Sequence, residues 1–159
     1  MSIRPPAPGW TVPPKQAGDG RALVLYVDVD DQSHELAGQR LRHAYRLLRA
    51  GGDREACELL RTYGDDLVAV LLDVDLPGSV LDGILLTRIL RGKVPSAALP
   101  PFARQMPSIN VPILLVTGDL GRYSEVELRK YGGDGLLPKP VDIAHVTLAL
   151  TDWHLRRQR

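Results

Sequence analysis

The sequence lacks several features that stabilise, anchor or charge a small protein. Its 159 residues contain one cysteine, Cys57, which excludes an internal disulfide. Aromatic residues make up only 5% of the chain and the net charge is +1, so the core must be largely aliphatic and no global field attracts nucleic acid. The four histidines have no metal or triad spacing, which favours surface or helix-packing roles. With no signal peptide and no apolar run of ~18 residues, we expect a soluble, cytoplasmic, single-domain protein away from membranes.

Proline is concentrated in two segments. Residues 1–20 contain five prolines and are expected to form a flexible tail that holds Trp10 loosely, before a single domain over residues 21–159. Residues 93–110 contain four prolines without a clear period, which predicts a long loop insertion. Phe102 and Met106 are expected to anchor this loop.

Apolar runs alternate with helix-length segments through the rest of the chain. The predicted strands are Leu23–Val27, Tyr45–Ala50, Leu67–Leu72, Ile113–Val116 and Gly135–Leu137. The predicted helices are Gln32–His43, Asp53–Tyr63, Asp82–Arg91, Leu120–Tyr131 and Val141–Arg157. Three of the strands are continuously apolar, which is typical of parallel strands buried on both faces. The predicted fold is α/β, a doubly wound five-stranded parallel sheet with helices on both faces.

Polar residues follow four of these strands: Asp28, Asp73, Thr117 and Lys139. The carboxyl ends of parallel strands share one edge of the sheet, where ligands bind. Clustered carboxylates need a cation, and Mg²⁺ prefers oxygen donors. A carboxylate beside a lysine and a hydroxyl can attack phosphorus, so the set predicts phosphoryl transfer. In the alternative interpretation, Asp28 and Asp73 cap the following helices and Lys139 pairs with them.

Several short motifs occur in a fixed order along the chain: VLYVD, YRLLRAGGDREACELL, LLDVDLPG, the Asp82-Gly83 pair, VPILLVTG and PKP. Together they resemble the receiver domain of response regulators in two-component signalling, over about residues 22–156. The resemblance is to a stand-alone, chemotaxis-type receiver. It implies a flavodoxin-like receiver fold and a bacterial phosphorelay protein that carries an aspartyl phosphate.

The resemblance also implies roles for individual residues. Asp73, four residues before Pro77, would be the phosphoacceptor. Thr117 would contact the phosphoryl group, and Lys139 would pair with Asp73 or its phosphate. The implied ligands of Mg²⁺ are Asp28, Asp73 and the backbone carbonyl of Asp75.

The chain departs from the family pattern at three places. Val29 stands where the family usually has a second acid, so Asp30 becomes a further candidate ligand, because an extended backbone points Asp28 and Asp30 the same way. Leu136 stands where an aromatic residue often moves with the threonine on activation. The loop between Pro77 and the Asp82-Gly83 pair is longer than usual.

The leading functional prediction is a signalling switch that takes phosphate from a histidine kinase or phosphotransfer protein and then alters binding of a downstream protein. Such a switch catalyses only its own phosphorylation and dephosphorylation, and it is not a metabolic enzyme. A homodimer through the last two strands and helices is also consistent with the resemblance. One alternative is a degenerate receiver that binds partners regardless of phosphate, as Val29 and Leu136 suggest. Another is a phosphohydrolase of the haloacid dehalogenase kind, in which Asp28-Val29-Asp30 forms the Asp-x-Asp motif.

Overall fold

The computed structural model describes residues 6, 9–13 and 18–158, and five strands within them form one parallel sheet. The strands are β1 (Ala22–Val27), β2 (Tyr45–Ala50), β3 (Leu67–Asp73), β4 (Ile113–Thr117) and β5 (Gly135–Pro138). Their order across the sheet is β2-β1-β3-β4-β5, and every neighbouring pair is parallel. The predicted fold class is therefore confirmed.

Five α-helices accompany the sheet: α1 (Asp31–Leu41), α2 (Asp53–Tyr63), α3 (Gly83–Leu90), α4 (Glu125–Lys130) and α5 (Ile143–Arg157). One buried cluster joins a sheet face to α2, α3 and α4, and the second joins the opposite face to α1 and α5. The doubly wound arrangement follows from these two cores. In the described part of the chain, no helix is both long enough and apolar enough to cross a bilayer.

The predicted helix over Leu120–Tyr131 is wrong in its first half. The Asp119 carboxylate accepts a hydrogen bond from the Gly121 amide and caps a short 3₁₀ turn, Leu120–Arg122. Tyr123 is extended, and Ser124 then caps α4. Two successive side-chain caps therefore divide this segment, because each cap fixes a non-helical residue before its own turn.

The long loop at residues 93–110 is anchored, as predicted. Its fully buried apolar side chains are Leu99, Ala103 and Ile109. Phe102 and Met106 pack against the same core, and the guanidinium of Arg54 lies 4.5 Å from the centre of the Phe102 ring. The anchoring offsets the entropic cost of ordering so long a connection.

The prediction that Trp10 is loosely held is wrong. Trp10 and Val12 pack against the core cluster that contains Leu48 and Tyr63. The Tyr63 hydroxyl also donates a hydrogen bond of 2.5 Å to the carbonyl of Pro13. Apolar burial and this hydrogen bond together hold residues 9–13 on the domain. The remainder of the predicted tail up to residue 17, residues 1–5, 7–8 and 14–17, lies outside the described residues.

Candidate functional site

The parallel register gathers the predicted site residues at one edge of the sheet. Asp73 is the last residue of β3 and lies opposite Val116 of β4. Thr117 ends β4 opposite Pro138 of β5, and Lys139 follows directly. Asp28 follows β1, where its amide donates to the carbonyl at the end of β2. The expected proximity therefore follows from strand ends that stop at the same level.

Lys139 bridges the two aspartates. Its Nζ lies 2.6 Å from Oδ2 of Asp73 and 2.8 Å from Oδ2 of Asp28. The Lys139 amide donates to the Thr117 carbonyl at 2.9 Å, which fixes the backbone from which the ammonium reaches. The exposed fractions of the three side chains are 0% for Asp28, 10% for Asp73 and 23% for Lys139. The site consequently opens to solvent along Asp73 and Lys139, with Asp28 behind them.

Asp28 is enclosed by hydrogen-bond donors. The Tyr26 hydroxyl donates to Oδ2 at 2.9 Å, and the Asp30 amide donates to Oδ1 at 2.9 Å. Tyr26 was not among the predicted site residues. Its spacing of two from Asp28 in an extended strand was the available signal, because alternate residues point to the same side.

His34 supports the same corner from α1. Its Nε2 lies 2.7 Å from the Asp28 carbonyl and 3.1 Å from the Ala50 carbonyl. Since both neighbours are acceptors, the proton belongs on Nε2. The His34 ring is buried, and its centre lies 4.9 Å from the centre of the Tyr26 ring. Of the two predicted roles, surface or helix packing, this histidine has the packing role.

Burial and neighbouring charges shift the pKa values of Asp73 and Lys139. Burial raises the pKa of the Asp73 carboxyl above its usual value; the hydrogen bond from Lys139 opposes that shift, and the charge of Asp28 adds to it. Burial alone would lower the pKa of the Lys139 ammonium, but its bonds to Asp28 and Asp73 outweigh burial and the pKa is raised. The lysine therefore stays cationic, while keeping the Asp73 carboxylate ionised costs free energy.

Asp30 faces the start of α1. Its carboxylate accepts from the Gln32 amide at 3.2 Å and from the Ser33 hydroxyl at 2.9 Å. The bond from Ser33, followed by the bond from Gln32, lowers the pKa of this exposed carboxyl. Asp30 is thus the cap of α1, as Asp82 is the cap of α3. The alternative in which Asp28 and Asp73 cap these helices is wrong.

Thr117 lies at the site with its hydroxyl engaged elsewhere. The hydroxyl accepts from the Asp119 amide at 3.0 Å and lies 3.2 Å from the Asp119 carbonyl, so its described hydrogen bonds stay within the loop after β4. To donate to a group on Asp73, this hydroxyl has to turn away from the Asp119 carbonyl.

Asp75 connects the site to the same loop. Its amide donates to Oδ1 of Asp73 at 3.1 Å, and its carboxylate accepts from the Tyr123 hydroxyl at 2.7 Å. The Arg122 guanidinium lies 3.6 Å from that carboxylate. Tyr123 was not predicted here, because the sequence pattern placed it inside a helix.

The loop between Pro77 and Asp82, which precedes α3, is held in place by a buried acid. Oδ2 of Asp53, a fully buried residue, accepts from the amides of Val80 and Leu81 at 2.8 and 2.9 Å. Gly83 then lies directly against the acceptor strand, since a Cβ there would come 2.2 Å from the Asp73 carbonyl oxygen. The Asp82-Gly83 pair therefore combines a cap with the one residue small enough for this approach.

Comparison with known proteins bears on the fold. No protein-family model and no curated protein sequence matches the chain. Its structure is similar to that of NtrX from Brucella abortus (TM-score 0.62, 22% identity), with 87% of this chain aligned to 29% of the NtrX chain. It is also similar to a response regulator receiver domain protein from Clostridium thermocellum (TM-score 0.61, 20% identity), covering 86% of this chain and 97% of that one. The chain has the receiver fold.

A third similar structure comes from a response regulator of Burkholderia pseudomallei that contains a phosphorylated aspartic acid, a calcium ion and citrate. Its TM-score is 0.59 at 20% identity, over 86% of this chain and 72% of that one. Receiver folds thus include a protein with both a modified aspartate and a divalent cation.

The Mg²⁺ ion implied by the receiver resemblance does not fit the donor set of this chain. Asp28 is fully buried and its oxygens already accept three hydrogen bonds, while Val29 offers no ligand atom. The Asp30 carboxylate caps α1, where it accepts a hydrogen bond from the Gln32 amide. Within the described ranges, no group of three or more histidine, cysteine or acidic side chains is arranged to hold a metal ion.

Proposed function

We propose that this chain is a phosphoacceptor receiver, which takes a phosphoryl group on Asp73 and thereby changes its binding to a protein partner. The observation that carries the proposal is the 2.6 Å contact between Lys139 and Asp73 at the open edge of the sheet. Because the Asp73 side chain keeps 10% of its surface exposed, a phosphoryl donor has a path to it. The phosphorylated aspartate in the Burkholderia pseudomallei structure supports this role.

The reaction is an in-line displacement at phosphorus. A carboxylate oxygen of Asp73 attacks, an oxygen–phosphorus bond forms, and the bond from phosphorus to the donor's leaving atom breaks with its electron pair. For a phosphohistidine donor whose other ring nitrogen carries a proton, the leaving group is neutral imidazole. Lys139 offsets negative charge on the phosphoryl oxygens as the acyl phosphate forms.

Readout of the phosphate involves the loop after β4. For the Thr117 hydroxyl to donate to the phosphoryl group, it must give up its hydrogen bond to the Asp119 carbonyl, and we infer that the loop adjusts as it does so. Movement of that loop also strains the bond between Tyr123 and Asp75. Position 136 holds a leucine that is half-buried against the core, so no aromatic side chain can change rotamer there. We therefore propose movement of the loop after β4 as the signal.

The proposed partners follow from this chemistry. The donor is a histidine kinase or a phosphotransfer protein of a bacterial cytoplasmic pathway, and the recipient is a downstream protein or a second copy of the chain. Exposed apolar side chains on α4 and α5, Val126 and Leu148, support contact with protein rather than with nucleic acid. The chain is proposed to act as a switch and not as a metabolic enzyme.

The phosphohydrolase alternative is not supported by the site. It requires Asp28 as nucleophile, yet Asp28 is fully buried and held by Tyr26 and Lys139. The degenerate receiver remains the competing candidate, and its supporting observation is Val29 beside a buried Asp28.

Incubation with acetyl phosphate and intact-mass measurement separates the two candidates. The wild-type chain should gain one phosphoryl group, and the Asp73→Asn variant should gain none. Asp65→Asn, an exposed acid at the opposite end of β3, should behave as wild type. A wild-type chain without mass gain, or a gain that persists in Asp73→Asn, would contradict phosphoryl transfer to Asp73 and favour the degenerate receiver.

A further inference from the structure

The position between the two aspartates is filled by a cation of the chain itself. One ammonium, on Lys139, contacts Oδ2 of Asp28 and Oδ2 of Asp73 at 2.8 and 2.6 Å. Two carboxylates against one ammonium leave a single net negative charge. Val29 keeps that charge low, since an acid at position 29 would double it.

Asp28 is enclosed by donors of the protein, which leaves little room for a metal ion. Oδ2 accepts from Tyr26 and contacts Lys139, and Oδ1 accepts from the Asp30 amide. Mg²⁺ requires ligand oxygens at about 2.0–2.1 Å in a near-octahedral shell and usually retains several waters. Although Oδ1 keeps a second lone pair, a side chain with 0% exposure offers no space for those waters.

The neighbouring acids do not replace the missing ligands. Asp30 is committed to the amide of Gln32 and the hydroxyl of Ser33. The Asp75 carboxylate accepts from Tyr123 and lies beside Arg122. Both acids are therefore held by protein donors that a metal ion would have to displace.

We propose that Lys139 takes the place of the divalent cation, so that Asp73 accepts a phosphoryl group without a metal ion. The inference rests on the proposed function and states how that site is neutralised. The displacement needs no further reactant: the oxygen–phosphorus bond to Asp73 forms as the donor's bond breaks, and the leaving carboxylate or imidazole carries away the electron pair.

The first test measures metal binding without reference to activity. Amide NMR signals of Asp75 and Lys139 are followed while MgCl₂ is added to the full chain through the millimolar range. The wild type should show no saturable shift at these amides. Val29→Asp, which restores a second acid beside Asp28, should bind at least ~10-fold more tightly, a scale on which even outer-shell partners change metal affinity.

The second test measures phosphoryl uptake from acetyl phosphate in EDTA and in MgCl₂, by intact mass. The wild type should reach the same extent in both, and Val29→Asp should become dependent on Mg²⁺. Saturable Mg²⁺ shifts in the wild type that vanish in Asp28→Asn would overturn the inference. Uptake by the wild type only in the presence of Mg²⁺ would also overturn it and would leave the acceptor role of Asp73 intact.

Failure of the acceptor role has a different signature. If the wild type gains no phosphoryl group in either solution, the proposed function is contradicted, and the NMR titration alone decides whether Lys139 excludes the metal. If Val29→Asp does not fold, as judged from its amide spectrum, the two wild-type measurements carry the decision.

Discussion

Each end of the sheet holds a partly or fully buried cluster of a cation with carboxylate, and the two clusters differ in how completely their charges are paired. At the amino ends of β4 and β5, Arg91 contacts Asp134 at 2.5 Å and donates to the carbonyls of Gly132, Ile109 and Val111 at 2.9–3.0 Å. The same Asp134 oxygen accepts from the Ile113 amide at 2.8 Å. Each charge there is matched by a partner.

At the carboxyl ends, one ammonium is shared by two carboxylates, and the more exposed of them is Asp73. Burial raises the pKa of that carboxyl, and the charge of Asp28 adds to the shift. The comparison teaches that a charged cluster alone does not mark a functional site. A cluster in which every charge has a partner stabilises the fold. A cluster with excess charge and one side exposed to solvent is available for chemistry.

Removing the cation from the saturated cluster should have the largest effect on stability. Arg91→Met leaves Asp134 and three carbonyls without their donor, and we expect a loss of about 3 kcal/mol in the free energy of unfolding. Urea denaturation measures it. Arg88→Met, an exposed arginine one turn earlier in the same helix, should change stability by less than about 0.5 kcal/mol. Equal effects of the two variants would contradict the structural role of the Arg91 cluster.

Removing a donor to the buried acid should have an intermediate effect. Tyr26→Phe deletes the hydroxyl that donates to Asp28, and we expect a loss of about 1.5 kcal/mol, the size of a hydrogen bond to a charged group. Tyr45→Phe is the matched control, because this buried tyrosine lies in the same core and its hydroxyl is 3.5 Å from that of Thr147. An effect of Tyr26→Phe no larger than that of the control would show that Asp28 does not depend on Tyr26.

Removing the charge of Asp73 should have the smallest effect on stability, and it should stabilise the protein instead of destabilising it. Asp73→Asn should raise the free energy of unfolding by about 1 kcal/mol at neutral pH, since it removes a buried charge beside Asp28. The folded-state pKa of Asp73 is raised, so the wild-type penalty exists above that pKa and fades as the pH falls towards the unfolded value.

The advantage of Asp73→Asn should therefore shrink on acidification. Urea denaturation at neutral and at acid pH checks both the sign and its pH dependence. If Asp73→Asn destabilises the protein at neutral pH, Lys139 fully compensates the charge of Asp73. The two clusters would then not differ in how completely their charges are paired.

The sequence predicted the sheet closely, because continuous apolar runs specify buried parallel strands with little ambiguity. The strand at Tyr45–Ala50 was placed by position in the pattern and has those bounds in the structure. The proximity of Asp28, Asp73 and Lys139 was also predictable, since it requires only that parallel strands end at one edge.

The rest depends on packing that a linear pattern does not contain. The Arg91 cluster joins Arg91, directly after α3, to Ile109 in the loop at residues 93–110 and to Asp134, directly before β5, with no local motif to reveal it. The hydrogen bonds that Asp28 accepts depend on the position of Tyr26 along β1 and on how far the Lys139 side chain extends. The break before α4 arose from two competing caps, where periodicity favoured one continuous helix.

The most direct test of the central claim locates the phosphoryl group on the chain. Borohydride reduces an aspartyl phosphate to homoserine, and peptide mass mapping after treatment with acetyl phosphate identifies the residue. We predict homoserine at position 73 alone, absent from untreated protein. Homoserine at position 28 or 30, with Asp73 unmodified, would contradict the account.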